Sequence, residues 1–354
     1  MPKASFVKVP MADGGDGTAL AIVEATDGRW VKVLVKDPLN REIKAAFGIS
    51  GGGRTAVIEM ATASGLALLK PGERNPLLTS TRGTGELIRA ALDRKVKNII
   101  IGIGGSATND GGMGMARALG ARFLDARGRD LREGGGSLDQ LARIDMSGID
   151  PRLKTVKICV ACDVDNPLYG AEGAAQVYGP QKGATQSMIK KLDAGLERLA
   201  DIIKKDLNLD VATLPGAGAA GGLGAGLVAF LNGRMSSGVD LVIRAVDLEK
   251  KLAGCQLVIT GEGRMDGQTI FGKAPAGVAR IAGKLGIPVI AICGSLGPDA
   301  GQVRAIGIQA CFSALEESMS EADLPRHGPG MLERCAEQVG RVLALQKTMD
   351  RFRF

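Results

Sequence analysis

One stretch of the chain, residues 255–297, constrains the fold more than any other. Its apolar run at 256–260 is rich in branched residues, which is typical of a buried parallel strand. A glycine-rich charged turn follows over residues 261–267, and then a helical pattern that ends at Gly286. A second apolar run at 287–292 completes a strand–helix–strand unit. Because the polar residues gather where the first strand ends, and open α/β sheets bind ligands there, we predict an α/β protein with a site at that edge.

Length and composition limit the function classes that remain. A chain of 354 residues exceeds the usual size of a single core, so two domains are expected. Aromatic residues make up only 3% of the chain, which disfavours nucleic-acid binding through stacked bases. The net charge of +7 is scattered, and fits an anionic small substrate or a solvated surface equally well. No signal peptide is evident and the uncharged run 211–233 is broken by Pro215 and glycines, so a cytoplasmic protein without membrane contact is predicted.

Several loops begin where a predicted strand ends. Asp13 and Asp16 follow a predicted strand at 6–9 and could bind a metal or cap the next helix. For Asp16 the helix cap is favoured, whereas for Asp13 the two interpretations are equally favoured. Residues 104–114 follow a buried strand, and their glycines would let backbone N–H groups approach an anion ahead of a helix. Arg82 could serve a phosphate, while its polar loop could instead cap a helix. Asp163 and Asn166 follow another strand, which ends near residue 161.

The first stretch also contains a near match to a phosphate-binding loop. Residues 267–274 have the spacing GxxxxGK but end in alanine where Mg²⁺ coordination favours Ser or Thr, so a standard P-loop is not predicted. Lys273 still lies at a helix start behind glycines and is predicted to meet a phosphate. Glu262 and Asp266 are candidates for Mg²⁺ ligands or for a base. Residues 216–221 match the GxGxxG motif, but no predicted strand precedes them as dinucleotide binding requires. An NAD-dependent dehydrogenase is therefore the least favoured of the functions considered.

Long motifs in series then indicate a family. MADGGDGT, VIEMATASGL, LLTSTRGTGELI, GIGGSATNDGGMG, DVDNPLYG, GPQKGA, GAAGGLGAGL and TGEGRMDGQTIFGKAP together resemble the bacterial type-1 glycerate kinase family. The resemblance runs from about Phe6 to the C-terminal helix. It implies phosphorylation of D-glycerate, usually to 2-phosphoglycerate, with ATP and Mg²⁺ as cofactors. Glycerate is the expected partner, with no nucleic acid and no membrane, and a homodimer stays open.

The resemblance also implies a two-domain α/β fold. Residues 1–80 and 250–354 would form a flavodoxin- or Rossmann-like parallel-sheet domain, and residues 81–249 an inserted α/β domain. With this reading, the expected catalytic residues are Asp13, Asp266 and Lys273, and the expected metal ligands are Glu262 and Asp266. The expected substrate-binding residues are Arg82, Ser106, Asn109, Asp110, Asp163 and Asn166. The expected cofactor-binding residues are Gly104, Gly105, Gly261, Gly263 and Gly272.

The sequence departs from the family pattern at its start. Family members usually carry a strand, a loop similar to APDSFKGSL and a helix ahead of the VPMADGG segment, whereas this chain begins at Met1-Pro2-Lys3-Ala4-Ser5-Phe6. In the family, that segment would add an Asp, a Ser and a Lys beside the catalytic cleft. Its absence predicts an exposed strand edge. The alternative function is therefore a catalytically impaired homologue that binds a nucleotide or a sugar acid.

Overall fold

The computed structural model describes residues 4–15, 17–317, 319–320 and 323–349. Asp16 lies outside them, so its predicted helix cap is not described. Contacts divide the chain into two compact units, one formed by residues 10–242 and the other by residues 1–9 and 243–354. Strands and helices alternate in both, which confirms the predicted α/β class.

A six-stranded sheet forms the centre of the larger unit, in the order β1-β2-β3-β4-β7-β8. Its strands are β1 (Arg29–Lys36), β2 (Glu42–Ile49), β3 (Thr55–Glu59), β4 (Asn98–Gly102), β7 (Lys157–Ala161) and β8 (Arg234–Ser236). The first two form an antiparallel hairpin, and β3, β4, β7 and β8 run parallel to one another. The carboxyl ends of these four parallel strands therefore meet along one edge. A separate antiparallel pair consists of β5 (Arg122–Leu124) and β6 (Arg143–Asp145).

Helices cover this sheet and complete its core. They are α1 (Thr18–Ala25), α2 (Ala61–Ser64), α3 (Arg82–Asp93), α4 (Met113–Ala118), α5 (Ala174–Tyr178), α6 (Gln186–Leu207) and α7 (Ala219–Leu231), with 3₁₀ turns at Leu66–Leu68, Pro71–Glu73, Gly135–Gln140, Pro151–Thr155 and Pro180–Lys182. In α6, Leu192, Leu196 and Leu199 recur at helical spacing and are fully buried, so one face of this helix packs into the core. The rings of Phe123 and Phe230 meet edge to face at 5.3 Å.

The smaller unit contains a three-stranded parallel sheet in the order β13-β11-β9. Its elements are α9 (Leu248–Leu252), β9 (Val258–Thr260), β10 (Arg264–Met265), α10 (Ala274–Lys284), β11 (Val289–Cys293), β12 (Ser295–Leu296), β13 (Ile308–Ser313) and α11 (Leu324–Met349), with 3₁₀ turns at Gly267–Ile270 and Ala300–Ile306. Helix α8 (Gly238–Ala245) contains the division between the units. The strand–helix–strand unit predicted from residues 255–297 is thus β9-α10-β11.

Three features differ from the sequence analysis. Residues 29–59 join the sheet of the larger unit, because β3 pairs with β4, whereas the sequence analysis places residues 1–80 in one domain with residues 250–354. Residues 6–9 form no strand, and Phe6 and Val7 are exposed. Ile259 is 47% exposed although a buried strand was predicted, because β9 lies at the edge of its sheet. Within the described residues, no helix combines the length and apolarity that a membrane crossing requires.

Candidate active site

The charged turn after β9 is fixed by backbone contacts with the end of β11. The N–H groups of Gly294 and Ser295 donate to the carbonyl oxygens of Glu262 and Gly263 at 3.0 and 2.9 Å. Gly261 lies so close to the carbonyl oxygen of Ile292 that a Cβ there would overlap it. A glycine at this position therefore lets the turn lie directly against the neighbouring strand.

Lys273 lies beside two carboxylates of this turn, one of which also faces an arginine. Lys273 Nζ lies 3.4 Å from Glu262 Oε2 and 4.0 Å from Asp266 Oδ1. Arg264 Nε lies 3.6 Å from the other oxygen of Asp266. The side chains of Glu262 and Asp266 are 15% and 22% exposed, and that of Lys273 is 35% exposed, so water and a ligand can reach all three. Lys273, Glu262 and Asp266, chosen from the sequence, are thus neighbours.

The donor set of this turn fits a magnesium ion. Mg²⁺ prefers oxygen ligands and is usually held by one or two carboxylates together with waters and substrate phosphates. Glu262 and Asp266 supply two such carboxylates. Among the described residues, no cluster of three or more His, Cys, Asp or Glu side chains suited to a metal is present, so protein ligands alone would not enclose the ion.

The glycines assigned to cofactor binding differ in their surroundings. Gly272 adopts φ +93°, a left-handed conformation that favours glycine, directly before Lys273 at the start of α10. An added Cβ would meet nothing within 4 Å at Gly272 or at Gly263, so the space beside both is open. A nucleotide role for these glycines and for Gly261 stays a prediction.

A second group of predicted residues lies at the carboxyl ends of β4 and β7, in the larger unit. A Cβ on Gly102 would lie 2.9 Å from the carbonyl oxygen of Gly14, and one on Gly14 would lie 3.0 Å from Ala161 Cβ. The loop that carries Asp13 therefore lies against both strand ends. Gly104 and Gly105 are exposed beside it, whereas Ser106 is 8% exposed and forms a β-bridge with Gly65.

Asp13 and Asp163 are brought together at this edge. Asp163 Oδ1 accepts a hydrogen bond from the N–H of Gly238 at 3.1 Å. The pKa of Asp163 is raised, first because surrounding protein displaces water, and further because the carboxylates of Asp13 and Asp240 lie nearby. The sequence analysis placed each of these acids after a predicted strand but did not predict that they lie together.

Asp110 and Asn109, by contrast, are fully buried. Asp110 accepts hydrogen bonds from the N–H and hydroxyl of Thr81 at 2.8 and 2.9 Å and from the N–H groups of Gly112 and Gly114 at 3.1 Å each. Burial raises the pKa of Asp110, and these donors oppose the rise. Because the protein already satisfies this carboxylate, Asp110 holds α3 and α4 together; a substrate contact stays only a prediction. Neither amide atom of Asn109 has a hydrogen-bond partner within the described residues.

Arg82 and Asn166 also have internal partners. The guanidinium of Arg82 contacts Glu133 at 2.6 Å and Glu86 at 3.3 Å. The side chain of Asn166 accepts from the Tyr178 hydroxyl at 2.6 Å and donates to the carbonyl oxygen of Glu172 at 2.8 Å. A substrate carboxylate would have to share Arg82 with two protein carboxylates.

The sequence analysis did not select Thr269 or Lys182. Thr269 is fully buried and hydrogen-bonds the side chain of Glu262. Lys182 is 1% exposed, and its Nζ donates to the carbonyl oxygen of Thr108 at 2.7 Å. Burial lowers the pKa of Lys182 to about 7, and Asp110 opposes that shift. No local pattern in the sequence singles out either of these two buried side chains.

The fold and these two groups define a class of protein. Parallel strands end in glycine-rich loops that carry carboxylates and, in one case, a lysine at a helix start, which is the arrangement of an α/β phosphotransferase.

Comparison with known proteins then specifies the family. The model of the glycerate kinase family matches residues 1–344, and the chain belongs to that family. It is 51% identical to a glycerate kinase of Halalkalibacterium halodurans over 98% of this chain and 92% of that protein. It is 55% identical to the glycerate 2-kinase of Escherichia coli over 89% and 82% of the two chains. A crystal structure described as a candidate glycerate kinase 2 from Salmonella typhimurium LT2 superposes with a TM-score of 0.89 at 51% identity, covering 98% of this chain and 91% of that one.

Proposed function

We propose that this chain transfers the γ-phosphoryl group of ATP to the 2-hydroxyl of D-glycerate, giving 2-phosphoglycerate and ADP. The observation that carries the proposal is Lys273 placed between Glu262 and Asp266 at the start of α10, in a member of the glycerate kinase family. Phosphoryl transfer needs positive charge beside the phosphates and an oriented hydroxyl more than it needs a covalent group. Lys273 supplies that charge, and the helix behind it favours an anion.

Each residue has a separate role in this proposal. Glu262 and Asp266 would hold Mg²⁺, which supplies neutralisation of phosphate charge when it is bound. Lys273 orients the γ-phosphate through its ammonium. Asp13 accepts the proton of the glycerate hydroxyl as the oxygen–phosphorus bond forms and the bond from phosphorus to the bridging oxygen of ADP breaks. Asp163, beside Asp13, would hold the second hydroxyl of glycerate.

The proposal also includes the predicted contacts at the strand end of the larger unit. Gly104 and Gly105 are exposed at a strand end and can present backbone N–H groups to an anion. Ser106 is 8% exposed, which leaves little of its surface for a substrate contact. A protein of this kind works with soluble metabolites, so its proposed location is the cytoplasm. We propose glycerate as its partner, and neither a membrane nor a nucleic acid.

A coupled assay of ADP release with D-glycerate and MgATP tests the proposal, with the product isomer identified by phosphorus NMR. The expected result is ADP release that requires glycerate and yields 2-phosphoglycerate. Glu262→Gln should lower kcat by about 100-fold or more, whereas Glu249→Gln, an exposed glutamate of α9, should leave it unchanged. Thermal stabilisation by glycerate or ATP without ADP release would favour the impaired homologue instead. Formation of 3-phosphoglycerate would correct the assigned hydroxyl.

A further inference from the structure

Thr269 lies beneath the charged turn of the smaller unit. It belongs to the 3₁₀ turn Gly267–Ile270, and it is fully buried while the neighbouring acids reach the surface. A hydroxyl at a buried position is costly unless it is hydrogen-bonded, so its partners show what the position does.

The Thr269 hydroxyl joins the two acids of the turn. Its oxygen accepts a hydrogen bond from the backbone N–H of Asp266 at 3.2 Å. Its single proton is then free to be donated, and the acceptor is Oε1 of the Glu262 side chain. A backbone N–H can only donate and an ionised carboxylate can only accept, so the direction of both hydrogen bonds is fixed.

This arrangement determines how Glu262 presents its carboxylate. With Oε1 held by Thr269 from below, Oε2 faces the ammonium of Lys273 at 3.4 Å. The same 3₁₀ turn holds Asp266, because Asp266 Oδ1 accepts from the N–H of Gln268 at 3.0 Å and the Asp266 carbonyl accepts from the N–H of Thr269 at 3.0 Å. Thr269 thus couples the orientation of the Glu262 side chain to the backbone that carries Asp266.

We infer that Thr269 is a positioning residue for phosphoryl transfer: its hydroxyl sets the Glu262 carboxylate in the orientation used by the metal–phosphate site. The inference rests on the proposed function, since it assigns Thr269 a part in the same reaction. Thr269 acts through Glu262 and does not itself touch the substrate. Small displacements of a group that orients reacting atoms have large effects on rate. Loss of the buried Thr269 hydroxyl can therefore lower the rate by displacing Glu262.

Two substitutions separate the hydroxyl from the rest of the side chain. Thr269→Val keeps the branched shape and removes the hydroxyl, whereas Thr269→Ser keeps the hydroxyl and removes the methyl group. We expect Thr269→Val to lower kcat by about 10- to 100-fold with little change in the KM of glycerate, and Thr269→Ser to stay within about threefold of wild type. The Mg²⁺ concentration for half-maximal rate should rise in the valine variant only.

A double-mutant cycle with Glu262→Gln shows whether the effect passes through Glu262. If it does, adding Thr269→Val to Glu262→Gln costs much less than it costs in wild type, because the carboxylate to be positioned is already gone. A binding readout accompanies the kinetics: the rise in melting temperature on adding MgADP should be smaller for the valine variant than for the serine variant. Additive losses, or equal losses for valine and serine, would show that Thr269 only packs the turn.

The experiments distinguish failure of the Thr269 inference from failure of the proposed function. If wild type releases no ADP with glycerate, the proposed function fails, whatever Thr269 does. If wild type is active and Thr269→Val matches it in kcat and in Mg²⁺ dependence, the positioning role is wrong. Should the valine variant fold poorly, Thr269→Ala removes the same hydroxyl without filling its space, and an alanine variant with wild-type kinetics overturns the inference equally.

Discussion

The ammonium of Lys182 donates a hydrogen bond to the carbonyl oxygen of Thr108 at 2.7 Å, and both residues are almost completely buried. The contact joins the segment after α5 to the glycine-rich loop that follows β4. Burial lowers the pKa of Lys182 to about 7, with Asp110 acting in the opposite direction. A lysine that loses its proton readily in the folded chain makes stability depend on pH.

We predict that the free energy of unfolding decreases as the pH is lowered from about 10.5 towards 7, because of Lys182. The unfolded chain keeps the Lys182 proton over this range and the folded chain releases it, so unfolding takes up a proton and the free energy of unfolding rises with pH. The slope should approach about 1.4 kcal/mol per pH unit, and Lys182→Met should abolish this component. Urea unfolding at pH 7.5, 8.25 and 9 measures it, and the difference in slope between wild type and Lys182→Met removes the shared contribution of the cysteine thiols, which ionise at about pH 8.5 when exposed.

The comparison of slopes is the control, because the methionine variant also loses the bond to Thr108. A constant offset between the two chains would report that bond and the change in packing. Equal slopes in wild type and Lys182→Met would show that the ammonium stays charged in the folded chain, and would contradict the prediction.

A second prediction concerns Asp110, whose carboxylate accepts hydrogen bonds from Thr81, Gly112 and Gly114. Asp110→Asn places an amide N–H₂ against these donors and leaves buried groups without partners. We expect the free energy of unfolding to fall by about 3 kcal/mol. Asp93→Asn, which alters an exposed pair with Arg152, should cost less than about 1 kcal/mol. A fully stable Asp110→Asn chain with a raised KM for glycerate would instead support the predicted substrate contact of Asp110.

The sequence predicted those parts of the fold that local patterns determine. The β9-α10-β11 unit and the β1-β2 hairpin follow from apolar periodicity and glycine turns within about 40 residues. The neighbourhood of Glu262, Asp266 and Lys273 follows for the same reason, since one turn and one helix start carry all three.

What the sequence missed depends on contacts between distant segments. The sequence places Asp110 in a glycine-rich loop but does not show that it is buried, which depends on distant residues such as Thr81 and Lys182. Ile259 looked buried because strand composition cannot show that β9 lies at a sheet edge. Strand order is likewise what places residues 29–59 in the larger unit, and it is not encoded in any single segment.

A third prediction concerns the close approach of Gly238 to the Asp13 loop. A Cβ on Gly238 would overlap the carbonyl oxygen of Asp13 and lie 2.5 Å from Gly14 Cα, so Gly238→Ala must move that loop. We expect a loss of about 1–3 kcal/mol in unfolding free energy, together with a higher KM for glycerate. Gly52→Ala is the matched control, because an added Cβ there meets nothing within 4 Å. Unchanged kinetics in a destabilised Gly238→Ala chain would separate the Asp13 loop from substrate binding.

The last prediction isolates the charge of Lys273. Lys273→Met keeps the length of the side chain and removes the ammonium that lies beside Glu262 and Asp266. If this ammonium stabilises charge on the transferring phosphoryl group, kcat/KM for ATP should fall by about 100- to 1,000-fold while the melting temperature stays near that of wild type. Lys284→Met removes an exposed lysine from the last turn of the same helix, so it controls for lost charge and for helix stability. Equal losses in both variants would assign the effect to the helix, and a Lys273→Met enzyme within about threefold of wild type would remove Lys273 from the phosphate site.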